Sequence, residues 1–152
     1  MGYKSIDEVK RQMEHYCAYQ ERSHKQVEEK LKNLGMYPEA IDHIIIHLLD
    51  ENFLNEERFA KSYARGKFYH KDWGKQKIIQ GLKQHQIHDK LISKALSEID
   101  DDDYKQTILK LIDKKRRLLP QSNTYLAKQK IARYLNQKGY RYDEFSSFLF
   151  DQ

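Results

Sequence analysis

His43 and His47 stand four residues apart, a spacing that sets two imidazoles on one face of a helix, where they could share a metal ion. A zinc-hydrolase helix also needs a Glu beside the first His and a third ligand further on. Here position 44 is Ile, no third ligand follows at a useful distance, and Ile44-Ile45-Ile46 between the histidines reads as core. Boundary histidines are therefore expected, and no metal. The acidic run Asp100 to Asp103 lacks the alternating ligands and the downstream Gly and Glu of a calcium loop. It suits a helix N-terminus, where carboxylates cap free N–H groups and meet the positive end of the helix dipole. Cys17 is the lone cysteine, which excludes an intrachain disulfide and a cysteine metal cluster. There is no Ser-His-Asp set and no GxxxxGK[ST] phosphate loop, and Gly66 and Gly74 are isolated. The carboxylates fall at helical spacing from lysines, Glu21 with Lys25 and Glu28 with Lys32, and read as surface pairs. No catalytic residue and no cofactor is expected, hence no enzyme.

The chemistry that remains is cationic. Lys61, Arg65, Lys67, Lys71, Lys75 and Lys77 form one run, Lys114, Lys115, Arg116 and Arg117 a second, and Lys128, Lys130 and Arg133 a third. Tyr63, Phe68, Tyr69, Trp73 and Tyr125 lie among them. Lysines and arginines neutralise phosphates, and aromatic rings stack on bases, so the mixture suits a nucleic acid. The competing reading is a solvated lysine-rich surface, with Tyr63 and Trp73 as packing. Trp73, next to Gly74 at a loop–helix junction, reads more readily as packing.

The balance of charge sharpens this. The net charge of +5 is split unevenly. Residues 1–57 hold seven Lys and Arg against twelve Asp and Glu, a net of −5, which leaves +10 for residues 58–152. A basic region of this kind meets nucleic acid or an acidic protein face. The longest apolar runs are far shorter than the ~20 residues of a membrane-spanning helix. The start, Met-Gly-Tyr-Lys-Ser-Ile, shows no apolar signal region. A reducing cytoplasm is the expected location.

Helices must position these groups, because six Gly and two Pro in 152 residues leave few breaks. Ser5 caps a helix over Ile6 to Gln20, and Ser23 a second that ends before Gly35. Pro38 opens a third that ends near Asn52. The cycle then repeats. Asn55 caps the next helix, a loop covers Tyr69 to Trp73, Gly74 opens a helix, and His88-Asp89 begins another. In the last cycle Asp100 to Asp103 leads in, Pro120 stops the helix, Ser122 or Asn123 caps the next, Gly139 ends it, and Asp143 starts the last. The cycles superpose. Val27, Ile78 and Ile131 correspond, as do Leu31, Leu82 and Leu135, and Ile41, Ile92 and Phe145. Ile44, Ala95 and Phe148 follow, then Ile45, Leu96 and Leu149. The expected fold is all-α: three tandem three-helix repeats, residues 1–53, 54–101 and 102–152, the first acidic and the other two basic. Each is too small to bury much surface alone, so neighbours should stack into an elongated, curved array.

The second repeat resembles the RecX family of bacterial recombinase regulators. The residues that carry the resemblance are Asn55, Arg58-Phe59-Ala60, Tyr63, Arg65, Trp73-Gly74, Ile78, Leu82 and Ile87. Tyr19, Arg22-Ser23, Val27, Leu31 and Leu34-Gly35 extend it into the first repeat; Lys130, Ile131, Leu135, Lys138-Gly139 and Phe145 extend it, more loosely, into the third. Two positions depart from the family pattern: Asn55 stands where Asp is usual, and Gln86 where Gly is usual. Gln86 puts the tight turn in question, since a side chain disfavours the left-handed backbone that Gly takes. Some relatives carry an additional N-terminal region, so the sequence reads as a short form or a fragment. The resemblance implies a protein that binds the RecA filament on single-stranded DNA, lies in its groove, and blocks or disassembles it. On that reading the thirteen basic residues named above face DNA or RecA, while Phe59, Ala60, Tyr63, Trp73, Gly74, Ile78 and Leu82 build the scaffold. The stacked repeats call for no partner copy, so a monomer is expected. A direct DNA binder with helix-turn-helix-like units, independent of RecA, is the alternative; a protein-only helical scaffold is a third.

Overall fold

A computed structural model describes residues 4–121 and 123–151. Among these residues there are nine helices and no strand. The first three are α1 (Ile6–Tyr19), α2 (His24–Asn33) and α3 (Pro38–Asp50). The middle three are α4 (Glu56–Lys71), α5 (Lys75–Gln84) and α6 (Asp89–Leu96). The last three are α7 (Asp101–Leu118), α8 (Tyr125–Lys138) and α9 (Tyr142–Phe150). The tandem all-α organisation read from the sequence is thus the observed one.

The caps follow from residue chemistry. Ser5, Ser23, Asn55, Asp100 and Thr124 each accept a hydrogen bond from a backbone N–H of the first turn they precede. Ser23 forms a full capping box with Gln26. Thr124 takes the role expected of Ser122 or Asn123; Asn123 precedes the cap, and Ser122 lies outside the described residues. The loop expected from Tyr69 is instead helix, since α4 runs on to Lys71. No Gly or Pro interrupts that stretch, and the chain stops only when Asp72 turns left-handed at φ 58°.

The second helix of each unit ends in the same way. Met36 N–H donates to Leu31 O, Ile87 N–H to Leu82 O, and Tyr140 N–H to Leu135 O, all at 3.0–3.1 Å. This is the Schellman closure, with an apolar residue after the turn packing back on the leucine. It needs a left-handed residue, supplied by Gly35 (φ 80°), Gln86 (φ 60°) and Gly139 (φ 103°). The tight turn survives the Gln, because the apolar contact and the hydrogen bond outweigh a backbone cost of about 1–2 kcal/mol.

Burial follows the repeat for Val27, Ile78 and Ile131, for Leu31, Leu82 and Leu135, and for Ile41, Ile92 and Phe145. It breaks in α9, where Leu149 is buried and Phe148 is only partly covered, beneath the Lys105 ammonium. The third helix of the last unit is therefore turned relative to those of the other two.

The nine helices enclose two cores. Val9, Met13, Val27, Leu31, Ile44, Leu48 and their neighbours form one, built by the first unit with Leu54 from the start of the second. The second runs continuously from Phe59 through Ile78 and Ile108 to Leu149, so the middle and last units share it. Cys17 is buried in the first core, where desolvation pushes its thiol up to about 11 and keeps it protonated at neutral pH. The accessible surface is 9770 Å2. A compact monomer of this mass exposes about 8,200 Å2, so the body is elongated.

Polar contacts join the first unit to the second. Arg58 Nε donates to Glu21 Oε1 at 2.6 Å, and its Nη atoms reach Asn52 and Phe53 carbonyls. Glu21 therefore pairs across the seam and not with Lys25, whose Nζ donates to Gln84 O. Glu28 does pair with Lys32, at 3.2 Å. Ser23, fully buried, places its Oγ 3.1 Å from His85 Nδ1.

The join between the second and third units is backbone on backbone. Gly74 N–H donates to Lys138 O at 2.7 Å, and Gln76 N–H to Gly139 O at 3.0 Å. A Cβ on Gly74 would overlap Gly139 and Tyr140 backbone atoms, and one on Gly139 would overlap Lys77. Gly74→Ala is expected to cost about 2 kcal/mol or more, the scale of overpacking a closed interface, read as a lower urea midpoint. Gln86→Gly should raise stability by about 0.5–1 kcal/mol, the left-handed cost relieved less the added chain entropy. A lowered midpoint for Gln86→Gly would refute that balance.

Candidate nucleic-acid interface

The site is built outward from the end of α4. Residues 67 and 71 lie on one helical face, and the mean direction of residues 61 and 65 is turned about 120° away at about 100° per residue. The long basic run is thus split. On the second face, Lys61 pairs with Glu57 at 3.3 Å and Arg65 with Glu98 at 2.7 Å. Glu57 also holds Lys94 at 3.1 Å, and the two lysines, Lys94 first, keep its carboxyl below the usual range. These cations are already neutralised within the protein.

On the first face the charges gather. The left-handed turn at Asp72 swings Trp73 back toward α4, with Trp73 N–H donating to Lys67 O. Its ring is flanked by Lys67 Nζ at 4.8 Å and Lys77 Nζ at 4.4 Å, both in cation–π range. Lys138 reaches in from α8 and donates to Lys71 O at 2.9 Å, at the negative end of α4. Burial, foremost, lowers the Lys138 pKa; Lys77, Lys114 and Lys110 add repulsion, against which Asp72 acts alone. Lys110 donates to Asp72 at 3.0 Å. Lys67, Lys71, Lys77, Lys110, Lys114 and Lys138 therefore form one patch around Trp73, with a single acid in it. Crowded ammonium groups repel one another, and a polyanion laid across them would relieve that repulsion.

The N-terminus of α5 is not open to an anion. Its leading N–H groups are taken by Lys138 O, by Gly139 O, and by the Tyr104 hydroxyl at 3.0 Å from Lys75 N. Lys75 itself lies over the Tyr104 ring at 4.6 Å. Tyr104 also donates to Glu144, and its phenol is pushed far up by burial, so it stays neutral.

The remaining predicted cations are dispersed. Lys115 sits over Tyr134 at 4.1 Å and lines a small cavity with Lys130. Arg116 has its Nε buried and without a hydrogen-bond partner. Arg117 pairs with Asp113 at 2.9 Å. Arg133 borders a groove with Tyr125, Tyr142 and Phe150, and Lys128 stands on α8. Of the aromatics, Phe68 is buried and stacks on Tyr104, so it has no face to offer. Tyr69 donates to Asp103 at 2.7 Å. Tyr63 lies against Gly81, where a Cβ would overlap its hydroxyl. Phe59, Ala60, Gly74, Ile78 and Leu82 are buried. Of the paired histidines, His47 Nε2 contacts Glu14 at 2.8 Å.

Lys110 and Lys138 are the members that sequence reading missed. Lys138-Gly139 stood in the repeat register as a helix end, and a single lysine there gives no charge cluster; only the docking of α8 on α5 brings it to Trp73.

Three sequence profiles match in order: the first three-helix domain of RecX over residues 10–48, the second over 55–96 and the third over 101–149. The chain belongs to the RecX family. It is 34% identical to the regulatory protein RecX of Streptococcus uberis over 130 residues, 85% of this chain and 49% of that protein. It is 32% identical to the regulatory protein RecX of Clostridium perfringens strain SM101 over 80% of this chain and 58% of that protein. The chain therefore spans about half the length of these curated relatives. The crystal structure of RecX from Lactobacillus salivarius superposes with a TM-score of 0.84 at 27% identity, covering 96% of this chain and 95% of that one. RecX proteins are regulators, and in this member no helix among the described residues is long and apolar enough to cross a membrane.

For single-stranded DNA, each phosphate contact contributes about 0.7 to the slope of log K against log salt. Replacing Lys77 and Lys114 by Ala is expected to flatten that slope by about 1.4. Replacing Lys61 and Arg65 should leave it unchanged, since both are internally paired. Equal slopes for the two double variants would remove the Trp73 patch as the contact surface.

Proposed function

We propose that this RecX-family chain binds the RecA filament on single-stranded DNA and inhibits or disassembles it, lowering recombination and the DNA-damage response that the filament drives. The patch of six lysines around Trp73, drawn from α4, α5, α7 and α8, carries the reading. It unites the middle and last units on one surface of an elongated body, the form needed to lie along a helical polyanion. Family membership supplies the recombinase as target; the charge supplies the means of contact with DNA or an acidic RecA face. The protein acts as a monomer by occupying surface, without catalytic chemistry of its own.

The test is ATP hydrolysis by RecA on single-stranded DNA as this protein is added. Hydrolysis should fall, and Lys77→Glu with Lys114→Glu should need about tenfold or more protein for the same inhibition, the effect of reversing two cations at a polyanion. The helical circular dichroism of the variant should match the parent. Unchanged hydrolysis and strand exchange across a wide range of concentrations would refute the reading. Sequence-dependent binding to bare DNA in that case would favour the RecA-independent DNA binder.

A further inference from the structure

A cleft of about 470 Å3 opens where the first unit meets the second. That volume lies within the roughly 300–1,000 Å3 typical of small-ligand sites. Its α4 side carries Phe59, Tyr63, Gly66, Lys67 and Lys71; His85 closes its far end, and Glu21 and Gln26 come from the first unit. Tyr63 and His85 are half-buried, with ring centroids 5.6 Å apart, and Phe59 backs them both, 5.8 Å from Tyr63 and 5.0 Å from His85. The wall is thus aromatic, with the Trp73 ring 6.4 Å beyond Tyr63. Lys67 Nζ lies over the Tyr63 ring, 5.4 Å from its centroid, so an entering base would displace this flexible side chain from the ring face.

Two details are unexplained by packing. Gly66 is in mid-helix, where Gly costs about 1 kcal/mol relative to Ala. Yet a Cβ there would meet nothing within 4 Å, so the helix gains no close contact in return. What a side chain would do is narrow the cleft. Glu21 gives one oxygen to Arg58, while its other oxygen is buried with no hydrogen-bond partner. A buried carboxylate oxygen without a donor is costly; this one is closed off from the cleft, to which Glu21 and Gln26 present the rest of their side chains.

We propose that this cleft takes one unstacked base of a single-stranded nucleic acid, its ring against Tyr63 and His85, its edge toward Glu21 and Gln26, and its phosphate at Lys67 and Lys71. The chemistry is consistent throughout. Burial first, and Lys25 next, hold His85 below its usual pKa, so at neutral pH it is an uncharged ring with Nδ1 engaged by Ser23. Lys67 and Lys71 also border the Trp73 patch, so a strand lying on that patch can turn one base into the cleft. The inference rests on the reading that this protein meets single-stranded DNA, and it adds a contact with the base itself.

The experiment uses the full chain, a short labelled oligothymidylate, and an abasic strand of equal length and charge. Stacking is worth about 1–3 kcal/mol per base, so the oligothymidylate should bind at least about fivefold tighter than the abasic strand. Gly66→Leu fills the cleft, needs no repacking, and should melt no lower than the parent. It should lose the preference for the base-bearing strand while keeping the salt slope set by the lysine patch. Ser62→Leu, on the same lining, should repeat the loss. Equal affinity of the parent for both strands, or a preference that survives in both variants, overturns the cleft assignment. RecA inhibition is read in parallel. If it persists in a parent that shows no base preference, only the cleft assignment falls. If RecA is unaffected while the preference holds, the filament reading falls and the cleft stands.

Discussion

The architecture turns on the place where α8 ends against the start of α5. Helix ends carry unsatisfied groups, free N–H at one end and free C=O at the other. Here the carbonyls of Lys138 and Gly139 accept from Gly74 and Gln76, so one helix's deficit meets the other's. The opposed partial charges of the two dipoles add to the attraction. Nothing larger than hydrogen fits between, which is why glycine stands on both sides of the contact. From this join follow the shared core of the middle and last units, the reach of Lys138 back to α4, and the seat of Trp73 between Lys67 and Lys77.

The lysine patch depends on that geometry. Its members come from four helices spread between residues 67 and 138, and no two helices alone would assemble it. Its field is that of the ammonium groups themselves, because the adjoining helix N-terminus is already occupied. By contrast Lys61 and Arg65, close in sequence to Lys67, are spent on Glu57 and Glu98. Nearness along the chain and nearness in space part company within two turns of α4.

Much of the fold was legible in the sequence because repeats constrain it three times over. Caps at Ser5, Ser23, Asn55 and Asp100, and the apolar ladder from Val27 to Phe145, follow from local rules that a reader can apply. Where those rules were silent, the expectation slipped. Tyr69 looked like loop because aromatics and lysines crowd it, yet nothing there breaks a helix. Thr124 was passed over for its neighbours, and Glu21 was matched to Lys25 because spacing shows only near neighbours along the chain, whereas Glu21 stands between α1 and α2 and meets Arg58 through tertiary docking. The candidate site was half legible: the basic runs and Trp73 were visible, whereas Lys110 and Lys138 join them only through tertiary docking. Gln86 is the instructive departure, since an unfavourable residue sits in a turn held by Leu82 and Ile87.

The two joins along the body also differ in mechanical character. The join at Gly74 is short and backed by a continuous apolar core, and such contacts are stiff, failing only when the core opens. The join around Arg58, Glu21, Ser23 and His85 is made of side-chain hydrogen bonds and one ion pair, which can break and reform at small displacement. Load applied along the body would therefore be taken up first at this compliant seam. The first unit would then tilt against the other two, while the lysine patch on the stiff portion keeps its geometry.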